Sequence, residues 1–112
     1  MARFQTTLTG DPKALVAHLD DAILGTSMTA DRDEATEQRI GDARMMVLVY
    51  ERFTAVGGNR LSLTVSILTV GRDLAVTLVS AGGSNAVFFK VDAFGEGTFL
   101  LKGRKALESF TG

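Results

Sequence analysis

His18 is the only histidine in the chain, and histidine is the side chain whose ordinary pKa suits proton transfer near neutrality. At helical spacing it falls beside the apolar stripe Leu15, Val16, Leu19, Ala22 and Ile23, so its simpler reading is a residue at the boundary of a packed helix. Cysteine is absent, which removes disulfides, thiolate ligands and cysteine nucleophiles, and a zinc site would have to draw most of its ligands from carboxylates. Ser80 and Ser84 have no base close in sequence, and neither sits in a nucleophile elbow. Two glycine strings, Gly57-Gly58-Asn59-Arg60 and Gly82-Gly83-Ser84-Asn85, offer backbone donors to an anion, with Arg60 or Lys90 adding charge. Neither has phosphate-loop spacing, and turn geometry accounts for both.

If the strands that flank these loops pair in antiparallel fashion, both loops lie at one end of a sheet. Tyr50, Glu51, Arg52, Arg60, Ser84 and Lys90 then form the candidate polar site for a small ligand, although ordinary cross-strand charge pairs explain the same residues. No spacing assigns a catalytic residue, a cofactor or a metal ligand.

The elements that would hold such a site are more legible than the site. Leu61, Leu63, Val65 and Ile67 alternate with Ser62, Thr64 and Ser66, the pattern of a half-buried antiparallel strand. Gly71-Arg72 turns the chain, and Leu74, Val76 and Leu78 resume the apolar parity. A two-residue loop there places Val65 opposite Leu78, Ile67 opposite Val76 and Ser66 opposite Thr77, a register that agrees with the hydrophobic pattern. Phe4 to Thr9 reads as a first strand ended by Gly10. Asp11 then caps a helix with Pro12 at its first position and Gly25 as its stop. Residues 26–42 are polar and resist assignment, with Ser27 to Ala30 as an edge strand ahead of the charged stretch Asp31 to Arg39.

Arg44 to Phe53 reads as an interior strand, apolar on both sides, whose register leaves either Val47 and Val49 or Leu48 and Tyr50 on the core face. Gly57-Gly58-Asn59 turns into the next strand, Ala86 to Val91 reads as a further short one, and Thr98 as the cap of a last helix. On that helix Phe99, Leu100, Gly103, Ala106, Leu107 and Phe110 share a face, with Gly103 in the middle for close backbone packing. The expected fold is a single α+β domain over 1–112. Its antiparallel sheet has about five strands with both helices on one face, in the order β-α-β(4)-α. Topologically this resembles the single-repeat TATA-binding-protein-like architecture, with a small helix-grip domain as the alternative; fold likeness alone transfers no function.

Composition narrows the partners. A chain of 112 residues with 46% hydrophobic residues suffices for one core. Twelve basic and thirteen acidic residues nearly cancel, which disfavours general nucleic-acid binding. Lys102, Arg104 and Lys105 gather near the end of the last helix, where cations complement its dipole. The opening residues lack the apolar run of a secretory signal and no stretch reaches the roughly 18 apolar residues of a membrane span, so the expectation is a cytoplasmic protein without membrane contact.

Three strings, Tyr50-Glu51-Arg52-Phe53, Gly57-Gly58-Asn59-Arg60-Leu61-Ser62 and Gly82 to Lys90 leading to Phe94-Gly95-Glu96, resemble an uncharacterised bacterial family, domain of unknown function 6054. The resemblance implies a small bacterial protein and carries no mechanism. Function therefore rests on surfaces. The sheet face turned from the helices carries Ser62, Thr64, Ser66, Leu68, Ala75, Thr77 and Val79 without a charged residue, either the usual Ser and Thr enrichment of an exposed sheet or a contact with another subunit. The favoured expectation is a non-enzymatic interaction module, a homodimer that meets its partner through Thr64, Ser66 and Thr77. The second is a binder of a small apolar or amphipathic ligand between helices and sheet, and an enzyme comes third.

Overall fold

The computed structural model describes residues 2–27, 29–53, 60–82 and 96–112. Strand β1 (Ala2–Thr9) leads into helix α1 (Pro12–Leu24). Strands β2 (Asp31–Ile40), β3 (Ala43–Phe53), β4 (Arg60–Val70) and β5 (Asp73–Gly82) follow, and helix α2 (Glu96–Ser109) comes last. The strands form one antiparallel sheet of five in the order β1-β5-β4-β3-β2, with the chain's first strand closing beside its fifth. The chain is thus α+β as expected. The expected strand Ala86 to Val91 and the Gly57-Gly58-Asn59 turn lie outside the described residues.

Strand β4 occupies the centre, and its alternation organises the rest. Leu61, Leu63, Val65 and Ile67 are at most 1% exposed and face both helices, with Leu74, Val76 and Leu78 of β5 beside them. The register across Gly71-Arg72 pairs Val65 with Leu78, Ser66 with Thr77 and Ile67 with Val76, as the pattern required. Gly71 takes φ +61°, which an unbranched backbone allows without strain. In β3 the ladder settles the open register: Leu48 and Tyr50 are buried on the helix side, while Val47 and Val49 lie on the other face.

Helix α1 begins as its sequence implied. Asp11 accepts a hydrogen bond from the Lys13 amide at 3.2 Å, and Pro12 occupies the first turn. Leu15, Leu19 and Ile23 are fully buried along one stripe. At its end Gly25 stays right-handed, at φ −72°, and the Thr26 hydroxyl donates to the Ala22 carbonyl, so the stop does not use the left-handed glycine conformation. Helix α2 starts at Glu96, which places Thr98 inside the first turn instead of at the cap.

The largest departure concerns residues 26–42. The edge strand is the charged stretch itself, Asp31–Ile40, and it does not precede it at Ser27 to Ala30, where Met28 lies outside the described residues. All ten residues of β2 are exposed. A strand at a sheet edge gains its stability from the ladder with β3, closed here by the tight Gly41-Asp42 turn, and charges on such an edge deter pairing with other chains.

Gly103 lets α2 settle onto the sheet. A Cβ at this buried position would stand 3.1 Å from methyl carbons of both Leu63 and Leu78. The helix-propensity gain of Gly103→Ala, about 1 kcal/mol, is then outweighed by overpacking of about 1 to 3 kcal/mol. Urea unfolding should find the variant less stable than the parent, and a raised midpoint would contradict this packing.

Candidate functional site

Consecutive residues of a strand point to opposite faces, and this divides the polar residues that the sequence groups together. Tyr50 and Arg52 lie on the helix side, whereas Glu51 lies on the open side with Arg60. Ser84 and Lys90 lie outside the described residues.

On the open face Arg60 Nε sits 2.6 Å from Glu51 Oε2, and the Arg60 guanidinium lies 5.6 Å over the ring of its ladder partner Phe53. This is the cross-strand charge pair that explains both residues without a ligand.

On the helix side Tyr50 is fully buried, and its hydroxyl donates to Asp20 Oδ1 of α1 at 2.7 Å. Arg32 Nη1 of β2 donates to Asp20 Oδ2 at 2.8 Å. One carboxylate thus ties α1 to two strands. The link depends on a β-bulge: Arg32 pairs with Tyr50 but Glu34 pairs with Val49, so Asp33 is the extra residue. In an unbulged ladder Asp33 would stand opposite Tyr50 and bring a second carboxylate toward Asp20. The bulge instead turns a guanidinium inward. Sequence reading missed this cluster because Asp20, Arg32 and Tyr50 are far apart along the chain and β2 has no apolar alternation to mark its facing.

Burial, reinforced by the hydrogen bond and charge of Asp20, holds the Tyr50 phenol well above its ordinary ionisation range. A phenol held protonated is a donor and not a base, so the cluster acts as a clamp. Nearby, Arg52 stacks its guanidinium 4.6 Å from the Phe99 ring centroid, and burial lowers its pKa. Burial and then the Arg52 charge lower that of Lys102. The expected cation cluster does not sit at the helix end: α2 runs on to Ser109 with no basic residue in its last turn, so Lys102, Arg104 and Lys105 lie mid-helix, where Arg104 lies over the Phe4 ring at 4.6 Å and reaches Glu108 at 3.6 Å.

His18 meets a serine that sequence proximity could not reveal. Its Nε2 lies 2.8 Å from Ser109 Oγ, and its ring lies 5.7 Å from that of Phe110. The Ser109 hydroxyl donates to the Ala106 carbonyl at 3.1 Å, so its single proton is committed and His18 Nε2–H is the donor between them. That direction is opposite to a base activating a nucleophile. The pair fastens α1 to the end of α2.

The open face is the other candidate. Thr64, Ser66 and Thr77 lie together on it as expected, joined by Met45, Val47 and Val49 of β3. Ser66 donates to Met45 Sδ at 3.3 Å, and Gln5 donates to Thr77 Oγ1 at 3.2 Å. One shallow depression lies on this face between β1 and β5, beside Gln5, Thr7, Ala75 and Thr77, and others lie toward the periphery. One runs around the sheet end past Leu8, Leu68, Val70, Leu74 and Phe110, and another lies between the helices beside Ala22 and Leu101. No described helix is long and apolar enough to cross a membrane.

The clamp sets an alkaline limit. Tyr50 holds its proton more tightly folded than unfolded, so its contribution is complete below its ordinary pKa of 10.0 and is lost as pH rises past it. Lys102, lowered on folding, acts in the opposite sense as pH approaches its ordinary 10.5. The rise at Tyr50 is the larger of the two effects, so the net expectation is a fall in urea stability above about pH 10. Tyr50 is the only tyrosine, so phenolate absorbance should appear together with loss of circular dichroism. Tyr50→Phe should cost about 1 kcal/mol at neutral pH and flatten the alkaline fall; phenolate formation in the folded state would refute the clamp.

No curated relative matches the sequence. A family model does, over residues 1–111, and its description is a family of unknown function, DUF6054. Because that match runs over nearly the whole chain, the chain belongs to the DUF6054 family.

Proposed function

We propose that this protein is a non-enzymatic interaction module that pairs with a second copy of itself through the open face of its sheet. The observation that carries the reading is the make-up of that face. Across β3, β4 and β5 its centre consists of Met45, Val47, Val49, Thr64, Ser66, Leu68, Ala75, Thr77 and Val79, without a charge, and no described element covers it. Charges stand at its ends instead, at Arg3, Glu34 and the Glu51–Arg60 pair on one side and at Asp73 on the other, where Val70 and Ile40 are exposed beside it. A neutral centre inside a polar rim is the anatomy of a protein interface.

The size supports the same reading. Five strands about 4.8 Å apart, each about ten residues long at about 3.4 Å per residue, give a face of roughly 800 Å². A standard interface buries about that area on each partner. The reading takes the chain as a cytoplasmic bacterial protein, supported by its cysteine-free composition, which suits a reducing compartment.

Sedimentation equilibrium at high micromolar concentration should give the mass of a dimer. Thr77→Lys should weaken association by about 3 kcal/mol, because each interface would bury unpaired ammonium groups. That is roughly a hundredfold in dissociation constant. Thr77 is only half-buried in the single chain, so thermal unfolding of the monomeric variant should stay cooperative. A monomeric parent protein would overturn the reading.

A further inference from the structure

The ladder register sorts the open face into rows that run across all five strands. One row reads Arg3, Val79, Thr64, Val49, Glu34, from β1 through β5, β4 and β3 to β2. The next reads Gln5, Thr77, Ser66, Val47, Thr36, and the third Thr7, Ala75, Leu68, Met45, Gln38. Two gradients cross these rows. In the third row the β5 side chain is small, Ala75, and the β3 side chain large, Met45, and the first row is basic at its β1 end and acidic at its β2 end.

Resting on the self-association argued above, we infer that the two copies pair about a twofold axis that lies between the sheets and runs along β4. Such an axis reverses the order of strands and preserves the order of rows. It sets β5 of one copy over β3 of the other, so Ala75 meets Met45, Thr77 meets Val47 and Val79 meets Val49. Strand β4 meets itself at Thr64, Ser66 and Leu68. At each margin β1 lies over the partner's β2, and Arg3 of one copy faces the acidic end of the same row in the other, at Glu34. Both residues are exposed in the single chain, and neither makes an ion pair with a described residue. Arg60, which stands on the axis strand, is neutralised by Glu51 of its own chain at 2.6 Å.

The competing axis, across the strands, fits worse on both counts. It stacks β3 on β3, with Val49 over Met45, and β5 on β5, with Val79 over Ala75, so one side is crowded while the other gapes. It also leaves Arg3 over Thr7 and Glu34 over Gln38, with neither charge answered. Twisted sheets pack with strands rotated by about 30°, which displaces marginal partners by roughly one to two residues along the strand. Arginine and glutamate side chains span that offset, whereas the central rows near the axis are little affected.

The test is a charge exchange read by sedimentation equilibrium at low salt. Arg3→Glu and Glu34→Arg should each weaken the dimer on the order of tenfold, because each replaces two attractions with two repulsions. The double variant should return to within a few fold of the parent, and high salt should erase the differences. A second measurement uses the absence of cysteine from the chain. Ser66→Cys should cross-link to itself through a short bis-maleimide, Gln5→Cys alone should not, and Gln5→Cys mixed with Thr36→Cys should. A dimeric parent whose single charge variants are unaffected, or in which Gln5→Cys cross-links alone, overturns this axis and leaves self-association standing; a monomeric parent overturns both.

Discussion

The burial of one face of β4 is the constraint on which the rest of the molecule depends. Leu61, Leu63, Val65 and Ile67 sit at the middle of a five-stranded sheet, under both helices, and are removed from water almost completely. A slip of one residue would exchange them for Ser62, Thr64 and Ser66, putting hydroxyls under the helices and leucines in solvent. Both neighbours are therefore locked in register, β5 through Leu74, Val76 and Leu78, and β3 through Leu48 and Tyr50. The helices follow: α2 reaches the sheet at Gly103, between Leu63 and Leu78, and α1 packs through Leu15, Leu19 and Ile23. The open face is the complement of the same parity, so its smoothness is fixed by the strand pattern that builds the core.

What the sequence disclosed follows this dependence. The β4–β5 hairpin, both helices and the facing of Gly103 were legible because each writes a periodic apolar pattern. Strand β2 was not. Asp31, Arg32, Asp33 and Glu34 open it, and poor strand formers in a row announce a loop, yet pairing with β3 supplies ladder bonds that composition cannot signal. The choice between Val47 and Leu48 as inward residues also lay beyond the local pattern, because β3 is apolar on both sides and only β4 decides it.

The site was legible in its residue types and not in its grouping. Tyr50, Glu51 and Arg52 attract notice as neighbours, but strand geometry sends the middle one to the opposite face, where Arg60 meets it. Tyr50's real partner is Asp20, thirty positions away, and the third member is brought in by a bulge. A bulge leaves little trace in a sequence whose flanking residues are all charged. His18 and Ser109 are ninety-one positions apart and meet only because α1 and α2 lie side by side on the sheet. Each of these contacts is tertiary, and each fastens one element to another.

The two edges and the open face divide the means of association between them. An uncovered sheet can grow through its edges, by adding strands without limit, or through its face, which closes when two copies meet about a twofold axis. Here β2 offers a margin on which every residue is exposed and seven of the ten are charged or polar acids, bases and amides: Asp31, Arg32, Asp33, Glu34, Glu37, Gln38 and Arg39. At the other margin β1 alternates exposed Arg3, Gln5, Thr7 and Thr9 with half-buried inward residues. Polar edges resist open-ended pairing, whereas the neutral centre between them does not resist contact. The β2 edge in particular discourages the addition of further strands, while no described element covers the open face. Charge is concentrated on the β2 edge, falls to the single Arg3 on β1, and is withheld from the centre of the open face, as the strand parity that builds the core dictates.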